Sequence, residues 1–448
     1  HKEKASKKYE RLLSAAENET SALDENDPVK VQVRLSRQKF DRIKKLPVKF
    51  VKEMAETISL ATSEWEKARE KNSWSLFKNS LNKMCQIQRM KSDFWGYENH
   101  RYEALIQENE RSLSLSEIDY IFDTLKKFLV PFISAIRNKT PVSHNFKNEL
   151  YPTDFQKEMA NCLAEYLSFN QSDGLFATSS HPFCQRLGPR DFRITTRFDE
   201  RNFISSFLSS AHELGHFLYE KGLPLELYGL PIGETPSAGF HESSALFWEK
   251  KIAMSKPFLT RWLLNFRKKF PSLDAIDDLT FYKTVNRINI DPIRLNSDEV
   301  TYCIHIVIRY ELEKALLGGD LKTDDLKDAW SSKYRDYFDI QPKDDNEGIL
   351  QDIHWAWGLF GYFPSYALGH VYSSQYAYAM ESEIGPFDIL IAQEKISEII
   401  EWLDKNIYKR ANTLDASMLI KEITGKPIDP IFFCNYLEKK YGEIYEIG

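Results

Sequence analysis

Apolar residues recur along most of the chain in steps of three and four, the spacing that gathers side chains on one face of an α-helix. Val51, Met54, Ile58, Ala61 and Trp65 form one such stripe, entered after Pro47, a residue suited to a first helical turn. Another starts at Ser114, where Glu117 stands at capping-box spacing, and continues through Ile118, Phe122, Leu125, Leu129 and Ile136. Pro131 is expected to kink that helix, because its ring removes a donor and crowds the preceding turn. A further stripe of Ile204, Phe207, Ala211, Leu214 and Leu218 lies in RNFISSFLSSAHELGHFLYEK and ends where Gly222 and Pro224 supply a stop. One segment breaks the rhythm. Residues 175 to 198 read as a β-hairpin, with Leu187, Gly188 and Pro189 in the turn and Ile194, Thr195 and Thr196 in the returning strand. Helices resume from residue 236. The pattern predicts a mainly α protein with a small β-sheet or hairpin beside the helix of residues 204 to 218. With no repeat and no low-complexity linker, residues 1–448 are expected to form a single domain, 1–140 as helical scaffold and 141–448 as the part that holds the hairpin and the candidate chemistry.

The polar side of that last stripe carries the candidate chemistry. His212 and His216 are four residues apart, one above the other on a helix, so both imidazoles can reach one metal ion, with Glu213 beside it. Ser205 and Ser209 continue the same face and leave room for substrate. A catalytic zinc site takes three protein ligands and keeps one open position, so a third ligand is required. Glu242, in GFHESSALFWEKK, can come from a second helix packed across the first, and His241 is its rival. An ion held by two histidines and a glutamate lowers the pKa of water towards neutrality. Glu213 is placed to take the water proton and deliver it to a leaving amine.

Charge and cysteine usage narrow the partners and the compartment. A net charge of −6 over 448 residues, with a pI near 6.0, offers no field for nucleic acid or an anionic membrane surface. Basic runs such as RIKKLPVK read as solvated helix faces. The 42% of hydrophobic residues excludes general disorder, and no apolar run approaches the ~18 residues of a membrane span. Cys85, Cys162, Cys184, Cys303 and Cys434 are scattered, with no CxxC pair, which points to reduced thiols and a cytoplasmic location.

Further stretches turn the HELGH signature into a family resemblance. His181, Pro182 and Phe183 form HPF; Asp191, Arg193 and Thr195 form DxRxT; His241, Glu242 and Ser243 form HES; Ile293, Arg294 and Asp298 match IRxxAD; and Gly361, Tyr362, Ser365 and Tyr366 form GYxxSY. In their order and spacing they make the chain resemble the carboxypeptidase Taq family of zinc metallopeptidases along almost its whole length. The resemblance implies zinc ligands His212, His216 and Glu242, a catalytic Glu213, a nearly all-helical fold with a long deep cleft, and a homodimer. It also implies removal of single residues from peptide C-termini, with broad side-chain tolerance and poor cleavage of C-terminal proline. One zinc per chain is expected, and cobalt or manganese can occupy such a site.

Within that frame, Arg294 is the choice for the substrate carboxylate, because a guanidinium donates two parallel charge-assisted hydrogen bonds. Tyr366 and Tyr362 compete to donate to the oxyanion. His241 either donates to substrate or fixes Glu242. His181, Arg193 and Asp298 complete the substrate-binding candidates, His181 as cleft wall and Arg193 with Asp191 as a brace of the hairpin. Ser244 stands where the family usually has glutamine and Ser297 replaces the alanine of IRxxAD; the resemblance also implies an additional helical segment at the start, which is expected to be missing from residues 1–448. A thermolysin-like site would place an aspartate four residues beyond Glu242 to orient a ligand histidine. Leu246 stands there, so the orienting group must come from elsewhere. The competing readings are an oligopeptidase or dipeptidyl carboxypeptidase on a related helical fold, and a catalytically silent peptide-binding protein.

Overall fold

The apolar stripes become the buried faces of helices that share one core. A computed structural model of the chain describes residues 5–139, 144–146 and 149–447. Helix Leu115–Arg137 starts with the expected capping box of Ser114 and Glu117 and runs past Pro131, burying Ile118, Phe122, Leu125, Leu129 and Ile136. Helix Val48–Glu70 buries Ala61 and packs Ile58 and Trp65 partly against the same core, which extends from Ala61 to Tyr445. The protein is mainly helical, as its patterning predicts.

The irregular segment forms a three-stranded sheet rather than a lone hairpin. Strands β1 (Gly174–Thr178), β2 (Phe183–Gly188) and β3 (Asp191–Thr196) lie in the order β1-β3-β2. β2 and β3 make the expected antiparallel hairpin, with Phe183 opposite Thr195 and an irregularity between Arg186 and Gly188. β1 adds a parallel partner to β3 and leaves β2 on an edge. The sheet is fastened to the following helix at both ends of β2–β3. Ser210 Oγ bonds Thr196 Oγ1 at 3.1 Å, and Arg186 Nη1 donates to the Glu220 carbonyl at 3.2 Å.

Helix Phe203–Gly222 carries HELGH and is called the His helix below. Asn202 caps it by accepting from the Ser205 amide, and Ile204, Phe207, Ala211, Leu214 and Leu218 are all buried. Ser205, Ser209, His212, His216 and Glu220 are left as its less buried face. Helix Ala238–Leu246, the Glu helix, crosses it and continues into a π-helical stretch, Phe247–Ala253. The Glu helix also rests on helix Phe363–Ile384, where Tyr376 donates to the Ser243 carbonyl at 2.8 Å.

Candidate metal centre and active site

The His helix and the Glu helix meet so that His212, His216 and Glu242 each offer a ligand atom within 4.8 Å of the others. His216 Nε2 lies 3.7 Å from Glu242 Oε2, a separation that suits two ligands of one ion. The donor set of two imidazoles and one carboxylate is that of a catalytic zinc site. All three residues line a cleft of about 690 Å³ together with Glu213, His241, Arg294, Asp298, Tyr302, Tyr362 and Tyr366. A wider surface depression of about 830 Å³ at Lys256, Thr260 and Arg267 gathers none of these groups.

The orienting group absent at Leu246 is supplied by Glu249, in the π-helical stretch. Its Oε2 lies 2.9 Å from His212 Nδ1, which leaves the Nε2 nitrogen of that ring for a metal. Burial disfavours the charged form of Glu249, but Lys250, 2.6 Å from its other oxygen, and His212 outweigh burial and hold the carboxyl down at about 2. Burial likewise opposes a charge on His212, yet the bond to Glu249 and the carboxylates of Glu242, Glu249 and Glu213 raise its pKa to about 9. His216 is lowered well below the ordinary histidine value, by burial first and then by His241 and His212. His241 stacks on His216 with ring centroids 4.4 Å apart, and its Nε2 lies 3.2 Å from Glu220 Oε1. Burial pushes the Glu213 carboxyl up to about 7, opposed by His212 and reinforced by Glu242 and Glu249.

Arg294 enters the cleft from the 3₁₀ turn Arg294–Asn296 and is 6% exposed. Its ion-pair partner is Asp352, neither Asp291 nor Asp298, the acids nearest in sequence. Nε and Nη2 both donate to Asp352 Oδ1, at 3.0 and 2.8 Å, while Nη1 donates to the Tyr302 hydroxyl at 3.0 Å. Arg309 takes the second Asp352 oxygen, so one carboxylate is clasped between two arginines. Asp298 lines the cleft, but its oxygens accept from the backbone amides of Asn289, Val300 and Thr301, which brace the entry to helix Tyr302–Gly318. The cleft wall near HPF is made by Pro182, Phe183 and Cys184. His181 is exposed, with its carbonyl accepting from Ser179, and Arg193 forms a two-pronged pair with Asp191; neither lines the cleft. Ser244 donates to the Gly215 carbonyl in HELGH at 2.8 Å and meets the Tyr408 hydroxyl at 2.8 Å, so it joins the Glu helix to the His helix.

The Glu helix is fixed from behind by Glu110, which sequence reasoning passed over. Its Oε1 accepts from the Gly239 amide at 2.6 Å and from Ser365 at 2.7 Å in a fully buried position. Burial raises this carboxyl to about 7, above its unfolded value near 4.5. A raised folded pKa makes stability complete below the unfolded pKa and erodes it as pH rises through the folded pKa. Glu110→Gln keeps an acceptor for Gly239 but cannot ionise. Its melting temperature relative to the parent should therefore climb between pH 5 and pH 8. A difference that stays constant with pH would refute the assignment.

Fold and site together define an HExxH-type metallopeptidase on a helical scaffold. The chain belongs to the carboxypeptidase Taq (M32) metallopeptidase family, whose sequence profile matches residues 1–441. It is 34% identical over 431 residues to carboxypeptidase 1 of Bacillus subtilis, covering 94% of this chain and 85% of that protein. Thermostable carboxypeptidase 1 of Thermus thermophilus is 34% identical over 432 residues, with 93% and 83% covered. Among solved structures, the M32 carboxypeptidase of Deinococcus radiodurans R1 superposes with a TM-score of 0.94 at 28% identity, covering 99% of this chain and 89% of that one. The carboxypeptidase of Pyrococcus furiosus gives 0.93 at 30% identity, with 98% and 88% covered. The protein is thus a peptidase of a metal-dependent family, and no helix among its described residues is long and apolar enough to cross a membrane.

Proposed function

We propose that the protein is a zinc-dependent carboxypeptidase that removes single residues from the free C-terminus of peptides, with broad side-chain tolerance and poor action on C-terminal proline. The observation that carries this reading is a buried arginine, Arg294, in the same cleft as the His212, His216 and Glu242 triad. A guanidinium has five N–H donors, and three are committed to Asp352 and Tyr302. One N–H on Nη1 and one on Nη2 remain, donors enough for the two oxygens of an α-carboxylate.

An ion held by the triad supplies Lewis acidity for the scissile carbonyl and for water; zinc suits the donor set, and cobalt or manganese can take its place. Arg294 anchors the chain terminus, which limits the cut to the last peptide bond. The edge strand β2 offers backbone groups to the extended peptide, in the manner of strand addition. Glu213 takes a proton from the attacking water and returns it to the leaving amine. Tyr366, with Tyr362 beside it, offers a hydroxyl to the developing oxyanion, and His241 stands in the wall to donate to the bound peptide. The five cysteines are free, in keeping with the proposed cytoplasmic location. The homodimer rests on the family resemblance, and sedimentation at the mass of one chain would remove it.

The test is mass analysis of products from matched peptides with free and amidated C-termini. One-residue steps from free ends alone support the proposal; equal cleavage of both sets, or release of dipeptides, overturns it. Arg294→Ala should lower kcat/KM on free-ended peptides by roughly 30-fold or more, the lower end of the 2–5 kcal/mol expected for truncating one partner of a buried charge pair. A variant that still distinguishes free from amidated ends as the parent does would dismiss Arg294 as the anchor.

A further inference from the structure

The Tyr366 hydroxyl is held by a residue that none of the family motifs above includes. His354 Nε2 lies 3.2 Å from Tyr366 Oη, and the imidazole sits edge-on to the tyrosine ring, with centroids 5.9 Å apart at 79°. The histidine side chain is only 13% exposed and packs against Phe363, ring centroids 4.5 Å apart at a tilt of 34°. Tyr362 is also in the cleft, edge-on to Tyr366 at 5.3 Å, but the hydrogen bond goes to Tyr366.

Which atom donates decides what Tyr366 can do. If His354 carries its proton on Nδ1, Nε2 must accept from the tyrosine, and the phenolic proton points away from the cleft. If the proton is on Nε2, the imidazole donates, the tyrosine oxygen accepts, and the phenolic O–H is free for a substrate oxygen. The surroundings favour the second arrangement. Nδ1 has no hydrogen-bond partner among the described residues. The carboxylate oxygen that faces it, Asp352 Oδ1, is 4.0 Å away and already accepts two bonds from Arg294, while Oδ2 accepts from Arg309. An N–H on Nδ1 would face a carboxylate 4.0 Å away whose oxygens are already taken by Arg294 and Arg309, and so would be a buried donor without a hydrogen bond; a lone pair there is also unpaired, but it faces a carboxylate whose charge the two arginines neutralise. Burial and the same two arginines, opposed by Asp352, hold the ring neutral, with its pKa down at about 4.

We propose that His354 is a positioning residue: as the Nε2–H tautomer it donates to Tyr366 and so turns the Tyr366 hydroxyl, rather than that of Tyr362, towards the oxyanion. This rests on the hydrolytic reading above. Two measurements test it separately. In long-range proton–nitrogen spectra of protein labelled with nitrogen-15 histidine, the signals lost in His354→Gln identify the ring. Protonation on Nε2 is expected, and protonation on Nδ1 overturns the proposal whether or not the protein cleaves peptides.

The second measurement is a double-mutant cycle at fixed metal content. Tyr366→Phe should lower kcat by about 10²–10³-fold and His354→Ala by roughly 10-fold or more, each with KM little changed. In the Tyr366→Phe background, His354→Ala should add nothing further. His354→Gln, whose amide reaches the Nε2 position, should recover most of the rate; His354→Asn, which reaches only the Nδ1 position, should not. Additive losses, or equal rescue by Asn and Gln, overturn the role of His354, whereas a parent protein that shows no single-residue trimming overturns the hydrolytic reading itself.

Discussion

Replacing Glu213 with glutamine is expected to lower kcat by about 10²–10⁴-fold, the range for loss of a positioned general base, while the protein still binds one ion per chain. The separation of these outcomes follows from geometry. Glu213 lines the cleft but lies outside the triad of His212, His216 and Glu242, so an amide of the same shape leaves the ligand set intact. What changes is proton affinity. Burial, aided by the carboxylates of Glu242 and Glu249 and opposed by His212, lifts the Glu213 pKa to about 7, near that of a base that must take a proton and give it back. A bound divalent cation acts in the opposite direction, so the working value in the holoenzyme lies below the metal-free one. Elemental analysis and single-turnover kinetics on the same preparation provide the check. Substantial turnover by a fully loaded Glu213→Gln protein would end the assignment of this residue as the base.

How far such a site is legible in the chain depends on how local its geometry is. His212, Glu213 and His216 share one helical turn, so helix periodicity alone settles their relation. Glu242 is one step harder, because its reach depends on the crossing of two helices. Glu249 marks the limit. It stands two turns beyond Glu242, on the same side of the chain, yet a search confined to one turn stops at Leu246; the winding also changes to a π-helix at Phe247. Strand β1 escaped for a related reason, since a short strand with a parallel partner takes its pairing from β3 rather than from its own alternation. Asp352 for Arg294, Glu110 for Gly239 and His354 for Tyr366 leave no local trace, because a buried ion pair or hydrogen bond between distant segments is settled by tertiary packing. For the same reason Arg193 and His181, singled out by motif, stay outside the cleft: being near the hairpin in sequence does not say which of its faces a side chain takes.

Gly215→Ala should cost both stability and metal affinity, although position 215 offers no ligand atom and alanine is the better helix former. A β-carbon at Gly215 would lie 2.7 Å from Ala245 Cα and 2.9 Å from the Ser244 carbonyl oxygen. Both are backbone atoms of the Glu helix, so no side-chain rotation relieves the overlap and the helices must separate. The far side offers no room either. A β-carbon at Gly369 would stand 2.8 Å from Glu242 Cγ, so the Glu helix is already pressed between the His helix and helix Phe363–Ile384. Overpacking of this kind costs about 1–3 kcal/mol, more than the helix propensity gained. Glu242 is one turn from Ala245, so the displacement that relieves the clash also moves the carboxylate away from His212 and His216. The bond from Ser244 to the Gly215 carbonyl stretches with it. Calorimetry of the metal-free protein should show the lower melting temperature, and competition with a chelator should show the weaker binding. A Gly215→Ala protein that matched the parent in both would mean that helix contact at this glycine does not set the ligand geometry.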